Sequence, residues 1–135
     1  AWADLDGDGD LDLLIADRAG VPYLQVFENR IGQERGWLLL LLQGTTSNRD
    51  GIGARVTLTA DGVTQIWEVK GGGGHSNTQG SRWVHFGLGD EETIERLTVR
   101  WVGGETEEIT GLQPRQRYRI VEGSGTGEVV PAAER

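Results

Sequence analysis

A chain of 135 residues can fill one core with short attachments, and a second full domain would be a squeeze. Its net charge of −8 argues against nucleic acid, whose affinity rests on clustered Lys and Arg, and the absence of cysteine excludes disulfides and thiolate metal sites. The main apolar run, "GWLLLLLQG" at 36–44, falls far short of the roughly 20 residues a membrane helix needs, so it reads as one buried strand and no membrane insertion is expected.

The chain opens with "DLDGDGDLDLLIA" at 4–16, which crowds five aspartates into nine positions before turning apolar. At an effective dielectric near 20, two carboxylates about 4 Å apart repel by on the order of 4 kcal/mol, so a cation is expected there. The spacing D-x-D-x-D-G-x-x-D, with Gly9 at the turn, is that of a calcium loop, since calcium takes six to eight oxygens at flexible angles. The expected ligands are the side chains of Asp4, Asp6, Asp8 and Asp12, with the carbonyl of Asp10 at the seventh position. An EF-hand is disfavoured: the twelfth loop position is Ile15 rather than Glu, and "LDLLIA" and "YLQVFE" flank the turn formers Gly20 and Pro22 as strand, turn and strand. The alternative is a solvated acidic loop with no ion. Low-affinity calcium loops fill more readily outside cells, which points to an extracellular setting. The chain lacks methionine and begins at Ala1, so it reads as a processed product or part of a longer polypeptide.

Beyond this hairpin, strands are expected at 37–43, 54–60, 63–69, 82–87, 94–101, 106–110 and 117–122, punctuated by many of the 22 glycines. Asp61-Gly62 and Gly103-Gly104 are two-residue hairpin signals. "DEETIERL" has helix formers enough for a short turn, with strand expected from Ile94 onward. Alternation in "RVTLTA" places Val56 and Leu58 on a buried face, and "TQIWEV" offers Ile66, Trp67 and Val69. The fold class that follows is all-β, an antiparallel β-sandwich of about seven strands at 36–122, preceded by a calcium-loop hairpin at 1–30. Residues 123–135 read as a flexible tail or linker whose "EVV" could add to a partner. An isolated hairpin is marginal in water. Residues 11–29 must therefore dock on their own sandwich, belong to a longer chain, or complete a sheet in a neighbouring copy.

Catalytic signals are weak. "GGGGHSNTQGS" lacks the Gly-Lys-Ser/Thr step of a phosphate cradle, His75 and His85 have no third imidazole for zinc, and Ser76 beside His75 sits in no nucleophile elbow. No enzyme is expected. Trp37, Trp67, Trp83 and Trp101 fall in the expected strands, where core packing is the default, although a solvent-facing subset would stack on sugar rings.

"SNRDGIGARVTL", "KGGGGHSNTQGSRWVHFGLG", "VRW" and "LQPRQRYRIVE" together resemble the ASPIC/UnbV domain over about residues 36–122. The resemblance implies an extracellular binding or structural domain with no catalytic residues to transfer. It also implies a preceding FG-GAP or VCBS repeat, and residues 4–29 resemble the calcium-loop unit of such a repeat. Val102-Gly103-Gly104 departs from the Pro-Ser-Gly usual in the family, which puts that turn's geometry in question. The motif residues Ser47, Asn48, Arg49, Asp50, Gly51, Gly53 and Arg55 read as a polar loop entering a strand, with glycines where a side chain cannot fit and with Arg49 and Asp50 bracing backbone. The expectation is a secreted, calcium-binding module for adhesion, scaffolding or assembly, its partner another protein or copies of itself. The alternative is a carbohydrate-binding module of a larger secreted protein, with a glycan as partner.

Overall fold

The computed structural model describes residues 1–17, 23–72, 80–90 and 93–131. His75 and Ser76, and the turn read into Gly20 and Pro22, lie outside them. The strands are β1 (Trp2–Ala3), β2 (Asp12–Asp17), β3 (Tyr23–Phe27), β4 (Gly36–Gln43), β5 (Arg55–Ala60), β6 (Val63–Glu68), β7 (Val84–Gly89), β8 (Arg96–Arg100), β9 (Thr106–Ile109), β10 (Gln116–Val121) and β11 (Gly127–Val129), with a 3-10 turn at Gly32–Glu34. They form a small sheet ordered β1-β2-β3 and two four-stranded sheets ordered β11-β10-β4-β7 and β6-β5-β8-β9. The two larger sheets make the β-sandwich.

Its core follows from period-two alternation. Leu38, Leu40 and Leu42 of β4 belong to the same buried cluster as Val56 and Leu58 of β5, Phe86 of β7, Leu97 and Val99 of β8 and Ile120 of β10. Between them Leu39 faces the opposite way, yet is only 3% exposed. β4 is therefore buried on both sides along part of its length, which explains its continuous run of leucines.

Asp61 (φ 47°) and Gly62 (φ 67°) make the expected two-residue turn between β5 and β6. The second expected hairpin is longer: the Trp101 N–H donates to Glu105 O and the Gly104 N–H to Trp101 O, so residues 101–105 connect β8 to β9. The sandwich also departs from a purely antiparallel plan, because β10 runs parallel to β4, with Tyr118 opposite Leu40. A parallel pair needs a long crossover, and here the whole of β5 to β9 supplies it. Part of the expected flexible tail is ordered as well. β11 pairs antiparallel with β10, Val129 opposite Tyr118, so "EVV" completes its own sheet. Glu107 secures that turn by accepting the Gly123 and Gly125 N–H groups and the Trp101 indole N–H.

In the 47–55 loop, the side-chain bracing of the backbone falls to Asn48 rather than to the two residues expected, Arg49 and Asp50. Asn48 accepts the Ile52 N–H and donates to Ile52 O, both at 2.8 Å, whereas Asp50 pairs with the Arg82 side chain and Arg49 contributes its carbonyl to Gly44. The glycine expectation holds at Gly51, where φ is +63° and an added Cβ would lie 2.9 Å from Leu42 Cβ. Of the four tryptophans expected in strands, Trp37 and Trp67 lie in β4 and β6 while Trp83 and Trp101 flank β7 and β8; Trp101 is buried in the core, Trp37 and Trp83 are half-buried, and Trp67 is 47% exposed. Default core packing therefore fails for Trp67, because β6 is an edge strand.

Candidate metal centre

The acidic loop lies between β1 and β2 and folds over the outer face of β4, β7 and β10. Three contacts hold it there. Gly9 passes so close to the Trp37 ring that an added Cβ would sit 1.8 Å from Cε2. The His85 Nε2–H donates to the Gly9 carbonyl at 2.9 Å; a carbonyl only accepts, which fixes that tautomer. Arg117 reaches from β10 to the Asp4 carboxylate at 2.6 Å, in a pair whose side chains are 14% and 6% exposed, with its Cζ 6.0 Å from the Trp37 ring centroid. These contacts dock the acidic loop on its own sandwich, whereas Leu24, Val26 and Phe27 of β3 stay more than half exposed.

Within the loop, carboxylates accept nearby amides in succession. Asp4 Oδ1 accepts the Gly7 N–H at 2.7 Å, Asp6 Oδ1 the Asp8 N–H at 3.2 Å and Asp8 Oδ1 the Asp10 N–H at 3.0 Å. These turns, with Gly7 (φ 87°) and Gly9 (φ 99°) in the left-handed region, bring one carboxylate oxygen each of Asp4, Asp6 and Asp8 within 4.8 Å of one another.

The carboxylates of Asp12 and Asp10 lie outside this cluster, which consists of side-chain oxygens and so does not bear on the expected Asp10 carbonyl. Asp12 is 2% exposed and accepts the Leu5 N–H on Oδ2 and the Asn29 N–H on Oδ1, both at 2.9 Å, so its carboxylate ties the start of the loop to the end of the hairpin. Asp10, 4% exposed, packs beneath Gly32, where an added Cβ would come within 2.6 Å of its own Cβ. Sequence spacing missed Arg117, Trp37, His85 and Asn29. Arg117 lies 113 positions from Asp4, and only the outward alternation of "RQRYRI" hinted that its side chain leaves the core.

The electrostatics fit a hard cation. The Asp8 carboxyl is pushed above its ordinary value, first by burial and then by repulsion from Asp6, Asp4 and Asp12, against the opposing pull of the Asp10 amide. Arg117 pairs with one member of the Asp4, Asp6 and Asp8 group. All three donors are carboxylate oxygens, the chemistry calcium prefers over thiolate or imidazole. Asp4, Asp6 and Asp8 would hold the ion, whose charge would relieve the repulsion that otherwise strains the docked loop.

A family model described as ASPIC and UnbV matches residues 44–127, from the loop after β4 to the first residue of β11. No curated protein matches the chain.

Proposed function

The chain belongs to the ASPIC and UnbV family, and on that premise we propose that it is an extracellular, calcium-binding structural and adhesion module without catalytic activity. Its N-terminal part is read as an FG-GAP or VCBS-type calcium unit, and its partner as another protein or further copies of itself. The observation that carries this reading is the convergence of Asp4, Asp6 and Asp8 beside Arg117, on a loop wedged against the family domain. Calcium there would be structural, fastening the hairpin to the sandwich.

Assembly is supported by the small sheet. β1 and β3 form its edges, and Leu24, Val26 and Phe27 on β3 are more than half exposed. Strand addition at such an edge between copies makes a head-to-tail contact that does not close, and so a filament or surface layer.

Thermal unfolding in EDTA and then in calcium, repeated on Asp8→Ala, tests the metal. A ligand at 100 times its dissociation constant that binds only the folded state adds about 2.7 kcal/mol, which a melt resolves. A calcium-dependent rise lost in the variant supports the site, and equal melts with and without calcium refute it. Light scattering at high protein concentration in millimolar calcium tests assembly, and a stable monomer counts against it.

A further inference from the structure

A cleft of about 420 Å³ opens between β1, the outer face of β4, β7 and β10, and the edge strand β6. Trp2, Trp67 and Trp83 line it together with Asp4, His85 and Arg117. Its volume lies within the roughly 300–1,000 Å³ of small-molecule sites, and its make-up, apolar walls with a few fixed polar groups, is theirs as well. Two of the indoles are far from satisfied by the protein, Trp2 being 61% and Trp67 47% exposed. Large aromatic surfaces left in water beside fixed polar groups point to a ligand that is itself amphipathic.

We propose that this cleft binds a neutral, short oligosaccharide. The two charged side chains in its wall, Asp4 and Arg117, are paired with each other at 2.6 Å, so they leave no net charge to select an ion. With no cation bound, the acidic loop beside Asp4 repels anions such as phosphates or uronic acids. A hydrocarbon or lipid chain would strip water from the exposed Ser81 hydroxyl and return no hydrogen bond. A sugar ring meets both demands: its C–H face lies against an indole while its hydroxyls bond to water and to the exposed Ser81 hydroxyl at the rim of the cleft. Asp4 lines both this cleft and the candidate cation site, but Trp67 and Trp83 belong to the sandwich domain and not to the acidic loop, so titration in EDTA separates the two readings.

The test titrates the full chain, in calcium and separately in EDTA, with cello-, chito-, manno- and laminari-oligosaccharides while following tryptophan fluorescence, beside Trp67→Ala and Trp83→Ala. At least one series should give a saturable change. Each substitution should weaken it about five- to tenfold, the worth of one aromatic contact. Trp67 lies outside the buried core, so Trp67→Ala should melt like the parent chain and its loss of affinity cannot be ascribed to misfolding. No saturable change with any series at millimolar sugar, binding that both variants leave unchanged, or uptake of an apolar dye without any sugar would each overturn the proposal.

Discussion

Replacing Gly9 by alanine tests whether the acidic loop is an integral part of the domain. Two penalties act at once. The backbone sits at φ +99°, and a side chain held in left-handed conformation costs roughly 1–2 kcal/mol. The new Cβ would also fall 1.8 Å from Trp37 Cε2 and 2.1 Å from Nε1, an overlap with a ring that β4 holds in place, for which overpacking costs of about 1–3 kcal/mol are typical. A docked loop would therefore carry about 2–5 kcal/mol of strain. The real loss is capped by the free energy of docking, because the loop can instead lift away and surrender the Asp4 to Arg117 and Gly9 to His85 contacts. The expected result is rapid hydrogen exchange at the Leu5, Gly7, Asp8 and Asp10 amides, a changed Trp37 environment in near-ultraviolet circular dichroism, and retained protection in β4, β5 and β8. Gly89→Ala is the control: its φ is +68° but no atom lies within 4 Å of the added Cβ, so it should show the backbone penalty alone. Wild-type protection of the loop amides in Gly9→Ala would refute the docking argument.

Leu40→Ala, at a fully buried position of β4, should lower stability by about 2–5 kcal/mol in denaturant unfolding with a small change in m-value. Glu122 is held down to about 2 from its usual 4.5, chiefly by the Ser47 amide, with the Ser47 hydroxyl and the Thr45 and Thr46 amides adding to it. Its stabilisation is thus complete above pH 4.5 and lost as pH falls toward 2, so the gap in melting temperature between wild type and Glu122→Gln should be widest at neutral pH and close over that window. Arg117→Met leaves Asp4 buried without its cation, which should destabilise the chain in EDTA by up to about 3 kcal/mol. The same change restores a third negative charge to the cluster, so calcium, followed by calorimetry, should stabilise this variant more than wild type; an equal gain would mean that Asp4 takes no part.

Much of the sandwich is legible in the sequence because its strands have one wet and one dry face. Val56 and Leu58 alternate with Arg55, Thr57 and Thr59, and Asp61-Gly62 marks the turn, so β5 and the turn into β6 follow from local chemistry. The dry face expected of Ile66 and Trp67 does not form, because β6 is an edge strand with both residues exposed. β1 and β11 do not follow from local chemistry, because both are made strands by their partners. Gly127 sits in β11 where an added Cβ would come 2.7 Å from Leu112 Cδ2 and Tyr118 Cδ1, a packing demand that looks like linker composition when read along the chain. The same limit applies at the site. The spacing of Asp4, Asp6 and Asp8 is encoded within five residues, whereas Arg117 arrives through the parallel pairing of β10 with β4, which no local pattern announces. Asp12 fits the ligand spacing equally well, yet its oxygens answer the amides of Leu5 and Asn29, a demand set by the hairpin's return.

The position of β4 explains why loop and domain belong together. The family match begins at residue 44, immediately after β4, although β4 is the strand on which β10 and β7 both pair. Its inner face, Leu38, Leu40 and Leu42, fills the core between the sheets. Its outer face presents Trp37 and Leu39, flanked by His85 and Arg117 across the ladder. Without a cover, that outer face would expose an indole and a leucine side by side with a guanidinium held by no carboxylate. The acidic loop supplies the cover and the carboxylate together, Gly9 against the indole and Asp4 against Arg117. A cation on Asp4, Asp6 and Asp8 would then act on the stability of the central sheet itself, because the repulsion it relieves opposes the docking that buries β4.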